Sequence, residues 1–189
     1  MIDLDRTLYL PLLEIAIPSL KQLSDVQYRN FMSVLTKLMV SDQQISLLEW
    51  SLFKILRNNL APQAGRSSKT LDIGKLRQES EVLLSALASA GHATATQRLQ
   101  AFASAAEYLQ EKAAISYQAV DAGDIRPLDE AVDKLRLLKP LQKPMLLKAM
   151  AACINADGRV TPVEAELLQA VGSLLDCPIP PLLDGQKFI

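Results

Sequence analysis

Two segments of the chain share a pattern that is typical of a turn between two helices. The later segment runs from Ile154 to Leu168 and the earlier one from Met39 to Phe53, 115 residues before it. In each, apolar residues at helical spacing lead into a polar turn. A hydroxyl residue, followed three positions later by glutamate, then begins the next apolar run. The pattern therefore predicts a repeated helix–turn–helix.

The same offset extends well beyond the turn, from residues 12–60 to residues 127–175, and no gap is needed. Identical residues stand at Leu13 and Leu128, Ala16 and Ala131, Leu20 and Leu135, Leu23 and Leu138, Gln27 and Gln142, Asp42 and Asp157, Glu49 and Glu164, Leu52 and Leu167, and Leu60 and Leu175. Because the matches keep the inward positions of three consecutive helices, we expect an internal duplication of a three-helix unit.

Helical spacing continues nearly everywhere else, and no alternating run suggests a strand. We therefore expect one all-α domain over residues 1–189, a helical bundle whose 49% hydrophobic content is ample for a core. Its expected parts are repeat 1 at residues 10–60, a loop at 61–72, an inserted helical pair at 73–120, repeat 2 at 125–176 and a proline-containing extended tail at 177–189.

Repeat 1 is expected to contain three helices. The first runs from Leu8 to Leu23 and is interrupted or restarted near Pro18, because proline lacks a backbone N–H. The second begins after Ser24, a good N-cap residue, and carries one apolar stripe. This stripe consists of Phe31, Val34, Leu35, Leu38 and Met39.

The inserted pair is expected to form two long helices. The first spans about residues 73–90 and ends at Gly91, which we expect to be its C′ residue. The second spans about residues 94–120. Its predicted inner side carries Leu99, Phe102, Ala106 and Leu109. His92, the only histidine, is expected in a solvent-exposed linker between the two helices.

Helix capping explains the glutamates of both turns. Ser46 with Glu49, and Thr161 with Glu164, fit the capping box, in which the hydroxyl and the carboxylate satisfy each other's backbone N–H groups. Pro162 occupies the first helical position, where a missing N–H has no cost. We therefore expect these residues to hold the starts of two helices.

A metal site at the Asp-Gly turn is the alternative to capping. An EF-hand loop needs oxygen ligands at alternate positions, with glycine at position six and glutamate at position twelve. Here Gly158 directly follows Asp157, and Glu164 arrives too early. We therefore expect a structural role for these acids, and the same argument covers Asp42 and Glu49.

The composition and the missing motifs argue against several functions. With 20 basic and 21 acidic residues, the net charge of −1 gives little support for binding nucleic acid or an anionic membrane. A single histidine excludes an H-E-x-x-H zinc helix, and there is no P-loop or G-x-G-x-x-G. Paired acids such as Asp129 with Glu130, or Glu164 with Glu166, are expected on solvated faces and helix starts. We expect no catalytic residue and no cofactor. We also expect the side chain of Trp50 to lie in the core.

The remaining features favour a soluble, cytoplasmic chain. Cys153 and Cys177 have no C-x-x-C spacing, and we expect both to be reduced. Asp3 stands where a secretory signal would be basic. The most apolar window, from Leu8 to Leu20, is too short for a membrane span and is broken by Glu14 and two prolines.

Four stretches of the chain resemble a known family: Leu8 to Leu20, Ile45 to Trp50, Asp157 to Leu168, and Asp176 to Leu183. They are similar to the cytosolic C-terminal region of bacterial HtpX-like (CAAX-protease-type) membrane zinc metallopeptidases. The resemblance implies that the membrane helices and the zinc belong to a parent protein.

Each repeat also resembles, more loosely, the TerB tellurite-resistance helical domain, through its Asp-Gly turn followed by a glutamate. That resemblance implies Asp157 and Glu164, with Asp42 and Glu49 in the first copy, as candidate metal ligands.

Together, these observations predict a non-catalytic accessory domain that recognises or regulates a protein partner or protease substrate. If it is attached to its parent, the domain lies at the cytosolic face of the inner membrane. The alternative is a TerB-like ion-sensing module of a stress response. Two interpretations of the tail stay open, because it either covers an apolar groove or acts as a docking peptide.

Overall fold

The computed structural model describes residues 8–40, 45–61, 69–119, 124–177 and 179. These ranges contain eight α-helices: α1 Tyr9–Leu20, α2 Asp25–Val40, α3 Leu47–Leu60, α4 Arg77–Gly91, α5 Ala95–Glu107, α6 Arg126–Leu135, α7 Lys143–Ile154 and α8 Pro162–Leu174. Three short 3-10 helices join them, at Ile73–Leu76, Pro140–Gln142 and Asn155–Asp157. Within the same ranges, the only bridge between extended segments is a single parallel one between Leu71 and Leu138. The predicted all-α class is confirmed.

The hydrophobic core is built around α4, which packs against α5, α6, α7 and α8. Leu83, Leu84 and Leu87 of α4 are completely buried. Burial of one such side chain is worth about 1.5–3 kcal/mol. The packing of α3 against α8 completes the bundle, and α1 and α2 pack mainly on α3. None of the described helices combines the length and the apolar character that crossing a bilayer requires.

The first helix differs from its prediction at Pro18. Helix α1 passes through Pro18 and ends at Leu20, without the expected interruption or the extension to Leu23. Proline removes only its own N–H, and the next turn keeps its bonds, since the N–H of Lys21 donates to the carbonyl of Ile17 at 2.9 Å. The second helix begins after Ser24, whose N–H donates to the side-chain oxygen of Gln27 at 2.9 Å.

The second inserted helix is shorter than predicted, because α5 ends at Glu107 and residues 113–119 have no regular secondary structure. Buried side chains of α4 satisfy the backbone of this irregular segment. Glu81 accepts the N–H of Ser116 at 3.0 Å, and Ser85 accepts the N–H of Gln118 at 3.0 Å. Long-range hydrogen bonds therefore replace the local helical ones.

Two further predictions for the insert and its loop can be compared with the structure. Leu99 is 52% exposed, so its predicted inward position is wrong, whereas Phe102 and Leu109 are buried. The loop predicted at 61–72 lies largely outside the described residues, but its end is ordered by the bridge at Leu71.

Two pairs of helix bounds keep the 115-residue offset, whereas the starts of α2 at Asp25 and α7 at Lys143 do not. Helices α1 and α6 end at matched residues, Leu20 and Leu135, and α3 and α8 begin at matched residues, Leu47 and Pro162. The duplication itself remains a prediction from the sequence.

A buried lysine links α3 to α6. Lys54 is 1% exposed. Its Nζ lies 2.9 Å from Asp129 Oδ1 and 2.8 Å from Asp133 Oδ1. Trp50, buried in the core as expected, donates its indole N–H to Asp129 at 2.6 Å. Asp129 lies in the first turn of α6, as expected for a helix start, and its carboxylate also binds Lys54 and Trp50.

We expect the double substitution of Asp129→Asn and Asp133→Asn to lower the free energy of unfolding at pH 7 by about 3–5 kcal/mol, because it leaves a buried ammonium without its counter-charges. Adding Lys54→Met should restore most of the loss. Urea denaturation of the double and triple variants measures both effects. A triple variant no more stable than the double variant would contradict this account.

Candidate functional site

The turn of the second copy brings together side chains from four elements. His92 follows α4, Asp157 ends a 3-10 helix, Glu164 lies in the first turn of α8, and Cys153 belongs to α7. His92 is 4% exposed, so the prediction of a solvent-exposed linker residue is wrong. It is buried because the ends of α4 and α8 and the 3-10 helix, which packs against α5, converge at this point.

The ring of His92 faces a carboxylate on each side. Its Nδ1 lies 3.2 Å from the carbonyl oxygen of Ala88, which can only accept, so Nδ1 donates there. Glu164 Oε1 lies 3.9 Å from the same nitrogen, and Asp157 Oδ2 lies 3.9 Å from Nε2. Among the described residues, neither Nε2 nor Glu164 Oε1 has a hydrogen-bond partner. Arg98 fixes the loop by donating to the backbone oxygen of His92 at 2.8 Å.

Glu164 combines a capping role with burial. Its Oε2 accepts the N–H of Thr161 at 2.8 Å and the hydroxyl of Thr161 at 2.7 Å, while the Glu164 N–H donates back to that hydroxyl. This is a capping box. Glu164 lies at the start of α8, as expected, but it is only 1% exposed and Glu166 is buried as well, so the expectation of a solvated face is wrong for this pair. Burial raises the pKa of Glu164, and the hydrogen bonds from Thr161 oppose that shift.

Gly91 makes room for this carboxylate. It is the last residue of α4 and not the C′ residue that the sequence predicts. A Cβ at this position would overlap the carboxyl group of Glu164. The glycine is therefore required by close packing between α4 and α8.

The thiol of Cys153 is buried beside this cluster. Burial, with a smaller contribution from the charge of Glu164, raises the pKa of Cys153 to about 12. The thiol is therefore protonated at neutral pH, and this cysteine is not a nucleophile in the folded chain.

The candidate metal ligands occupy different environments. Asp157 Oδ1 accepts the N–H of Arg159 at 2.9 Å, and Gly158 has a positive φ of 74°, as the tight turn requires. In the first copy, Glu49 Oε2 accepts from Ser46 in a second capping box, while Asp42 lies outside the described residues. The described residues contain no group of three or more His, Cys, Asp or Glu side chains arranged to hold a metal ion. In this cluster a buried imidazole faces two carboxylates, and neither carboxylate lies within hydrogen-bond distance of a ring nitrogen.

A second region of interest is the outer surface of α1 and α2. Apart from Glu14, Ser19 and two prolines, every residue of α1 is apolar, yet none is buried. The large exposed apolar side chains of this region are Leu8, which precedes α1, Leu12 and Ile15 in α1, and Val26, Val34 and Leu38 in α2. We call these six residues the α1–α2 outer surface. Its presence contradicts the predicted inward stripe of α2 at Val34 and Leu38, which are 57% and 63% exposed.

A groove of about 550 Å³ lies between α1, α3 and α8. The α1 side of the groove consists mainly of Leu10, Leu13 and Ile17, whereas Asn58 and Asn59 of α3 add polar groups. The first residues of the tail reach it, since Ile179 also lines the groove. The rest of the predicted tail, apart from Cys177, lies outside the described residues.

The end of α8 positions Ile179. Asp176 has a positive φ of 56°, and the N–H groups of Asp176 and Cys177 donate to the carbonyls of Ser173 and Gly172 at 3.2 and 2.9 Å. This pattern is a Schellman motif. Gly172 allows the tail to approach, because a Cβ there would come within 2.7 Å of Ile179.

The fold and these two sites define an all-α helical bundle with a buried histidine–carboxylate cluster and an exposed apolar surface. The chain matches no protein-family model, no curated protein and no solved structure.

Sequence reasoning missed the burial of His92. The sequence signal for this burial was the position of His92 directly after a glycine at a helix end. Nothing in the local sequence indicates that α8 packs against His92.

We expect Gly91→Ala to lower the free energy of unfolding by about 1–3 kcal/mol, because the new methyl group displaces a carboxyl group that is packed and hydrogen-bonded. Thermal and urea unfolding of Gly91→Ala, Glu164→Ala and the double variant form a double-mutant cycle. In the Glu164→Ala background, Gly91→Ala should cost nothing, since alanine is the better helix former. An equal cost in both backgrounds would contradict the proposed contact.

We expect the stability contributed by Glu164 to fall as the pH rises. A carboxyl group whose pKa is raised in the folded state holds its proton more tightly there than in the unfolded chain. Its contribution is therefore complete below the ordinary pKa of 4.5 and is lost as the pH rises through the folded pKa.

Urea unfolding between pH 4 and pH 8 tests this dependence, with Glu164→Gln as the non-titrating control. The advantage of the native chain over Glu164→Gln should shrink as the pH rises. A constant or growing advantage would show that burial does not control this group.

Proposed function

We propose that this chain is a non-catalytic protein-interaction domain that binds helices of a partner protein through the α1–α2 outer surface. The observation that supports it most directly is that α1 is apolar apart from Glu14, Ser19 and two prolines, and has no buried residue. A helix of this composition is normally covered, and exposed apolar surface of this kind is typical of docking sites. Grooves between apolar helices receive the apolar face of a partner helix.

The resemblance to the C-terminal region of HtpX-like metallopeptidases gives this proposal a setting. In that setting, the domain is the accessory region of a membrane protease and recognises or regulates its substrates or partners. The protonated Cys153 and the capping roles of Glu49 and Glu164 are consistent with a chain that performs no chemistry itself.

An ion-sensing role is the second candidate, favoured by the buried Nε2 of His92, which faces Asp157 without a hydrogen-bond partner. Geometry supports it less well. Asp157 and Glu164 lie nearest to different ring nitrogens, so one ion bound at the ring would not reach both carboxylates at ligand distance. Calorimetry with calcium, zinc and magnesium, on the native chain and on Asp157→Ala, distinguishes the candidates.

Site-specific photocrosslinking tests the interaction function. A photoreactive residue placed at Leu38 in cells should crosslink a partner protein, whereas the same residue at Leu141, which is 94% exposed, should not. The partner should then bind the purified chain, and Leu38→Asp should weaken binding at least tenfold by placing a charge in the apolar contact. Leu141→Asp should leave the affinity unchanged. Crosslinks that are identical at the two positions would exclude the α1–α2 outer surface as the binding site.

A further inference from the structure

We propose that the groove between α1, α3 and α8 is the docking site of segment 180–183 of the same chain. This segment has the sequence Pro-Pro-Leu-Leu and lies outside the described residues. In the groove it covers one side of α1 and joins this helix to α8. Of the two interpretations of the tail, the inference selects a cover for an apolar groove over a docking peptide for another protein.

The groove uses the side of α1 that faces away from the α1–α2 outer surface. Leu10, Leu13 and Ile17 line the groove and are half-buried, whereas Leu12 and Ile15 are exposed. With 3.6 residues per turn, these two sets lie about half a turn apart on the helix. The inference therefore does not depend on the proposed function, which concerns the outer surface.

The described part of the tail already enters the groove. After Asp176 the chain turns back along α8, and the N–H of Cys177 donates to the carbonyl of Gly172 at 2.9 Å. Ile179 then lies beside Gly172, since a Cβ on this glycine would come within 2.7 Å of Ile179 Cδ1. Ile179 is itself part of the groove lining. Segment 180–183 therefore starts from a residue that the groove already holds.

The sequence of the segment predicts an extended chain long enough to follow the groove. Its two prolines fix φ at about −65° and bias the residue before each toward extended conformations. A polyproline II chain rises about 3.1 Å per residue, so the two leucines lie roughly 9–12 Å beyond Ile179. The groove side of α1 from Leu10 to Ile17 is about 10 Å long, at about 1.5 Å per residue. The leucines can therefore pack along this side of α1.

The lining of the groove matches the chemistry of the segment. Leu10, Leu13 and Ile17 of α1, together with Ile55 of α3, offer apolar surface for leucine side chains. Gln169 of α8 also lines the groove, and its side-chain amide can donate to a backbone carbonyl. The two prolines present carbonyls but no N–H groups, so they suit such a donor. A groove of about 550 Å³ has the size of a small ligand site and suits a few side chains.

Covalent attachment favours this segment over other occupants of the groove. A binding group on a short linker reaches an effective concentration in the millimolar range at its site. Segment 180–183 follows directly after Ile179, which lines the groove. A peptide of another protein or a second copy of the chain must therefore displace it.

Photocrosslinking within the purified full chain tests the contact. An apolar photoreactive residue at Leu182 should crosslink to the groove side of α1 in the same chain, as identified by mass spectrometry. The same photoreactive residue at Leu141, which is 94% exposed, should not. Leu13→Asp should lower the yield from Leu182 at least tenfold, because it places a charge in the apolar contact. Leu12→Asp, the matched change on the outer side of α1, should leave the yield unchanged.

Hydrogen exchange gives a second readout that leaves the helices of the bundle unaltered. The double substitution of Leu182→Asp and Leu183→Asp should raise the exchange rates of the α1 amides several-fold, because the segment no longer holds this helix in place. The amides of α4, whose leucines are completely buried, should keep their rates. Unchanged rates in α1 contradict the proposed contact, even if Leu13→Asp disturbs the fold of α1.

Three results of the crosslinking experiment overturn the proposal. The first is a set of crosslinks from Leu182 that falls mainly on the α1–α2 outer surface. The second is crosslinking mainly between two chains, because a second copy is then the occupant. The third is a yield on α1 no higher from Leu182 than from Leu141. None of these results bears on the photocrosslink at Leu38, so the proposed function is tested separately.

Discussion

The burial of α4 is the constraint on which the rest of the structure depends. Leu83, Leu84 and Leu87 exclude water completely, and four other helices pack around this one. Since apolar burial is the main favourable term in folding, the positions of α5 to α8 follow from the need to cover α4. Helices α1 and α2 attach mainly to α3 and gain little from that core. Their apolar side chains consequently stay exposed or half-buried.

Buried polar groups hold the elements around α4 in place. Glu81 accepts the N–H of Ser116 in the irregular segment after α5, Glu164 caps α8, and Lys54 joins α3 to α6 through two aspartates. Each of these groups would be costly to bury without partners, so each specifies one arrangement of its neighbours. The exception is the edge of the His92 cluster, where one nitrogen and one carboxylate oxygen have no hydrogen-bond partner among the described residues.

The two copies of the predicted duplication pack against different elements. Both form helices at the same offset, and both begin their third helix with a capping box. In the second copy, insertion of α4 and α5 covers the apolar face, and His92 is drawn to the turn. In the first copy, the corresponding positions are half-buried or exposed, and none is buried. The two copies therefore differ in what packs against them and not in their own helical pattern.

Local interactions explain the features of the fold that could be predicted from the sequence. The all-α class follows from the spacing of apolar residues, and the starts of α3 and α8 follow from hydrogen bonds between residues three positions apart, such as Thr161 and Glu164. The end of α5, the burial of His92 and the exposure of Leu38 could not be predicted locally, because each depends on contacts with residues distant in the chain. The element that packs beside each one decides where α5 ends, whether the His92 ring is shielded from water and whether Leu38 is covered.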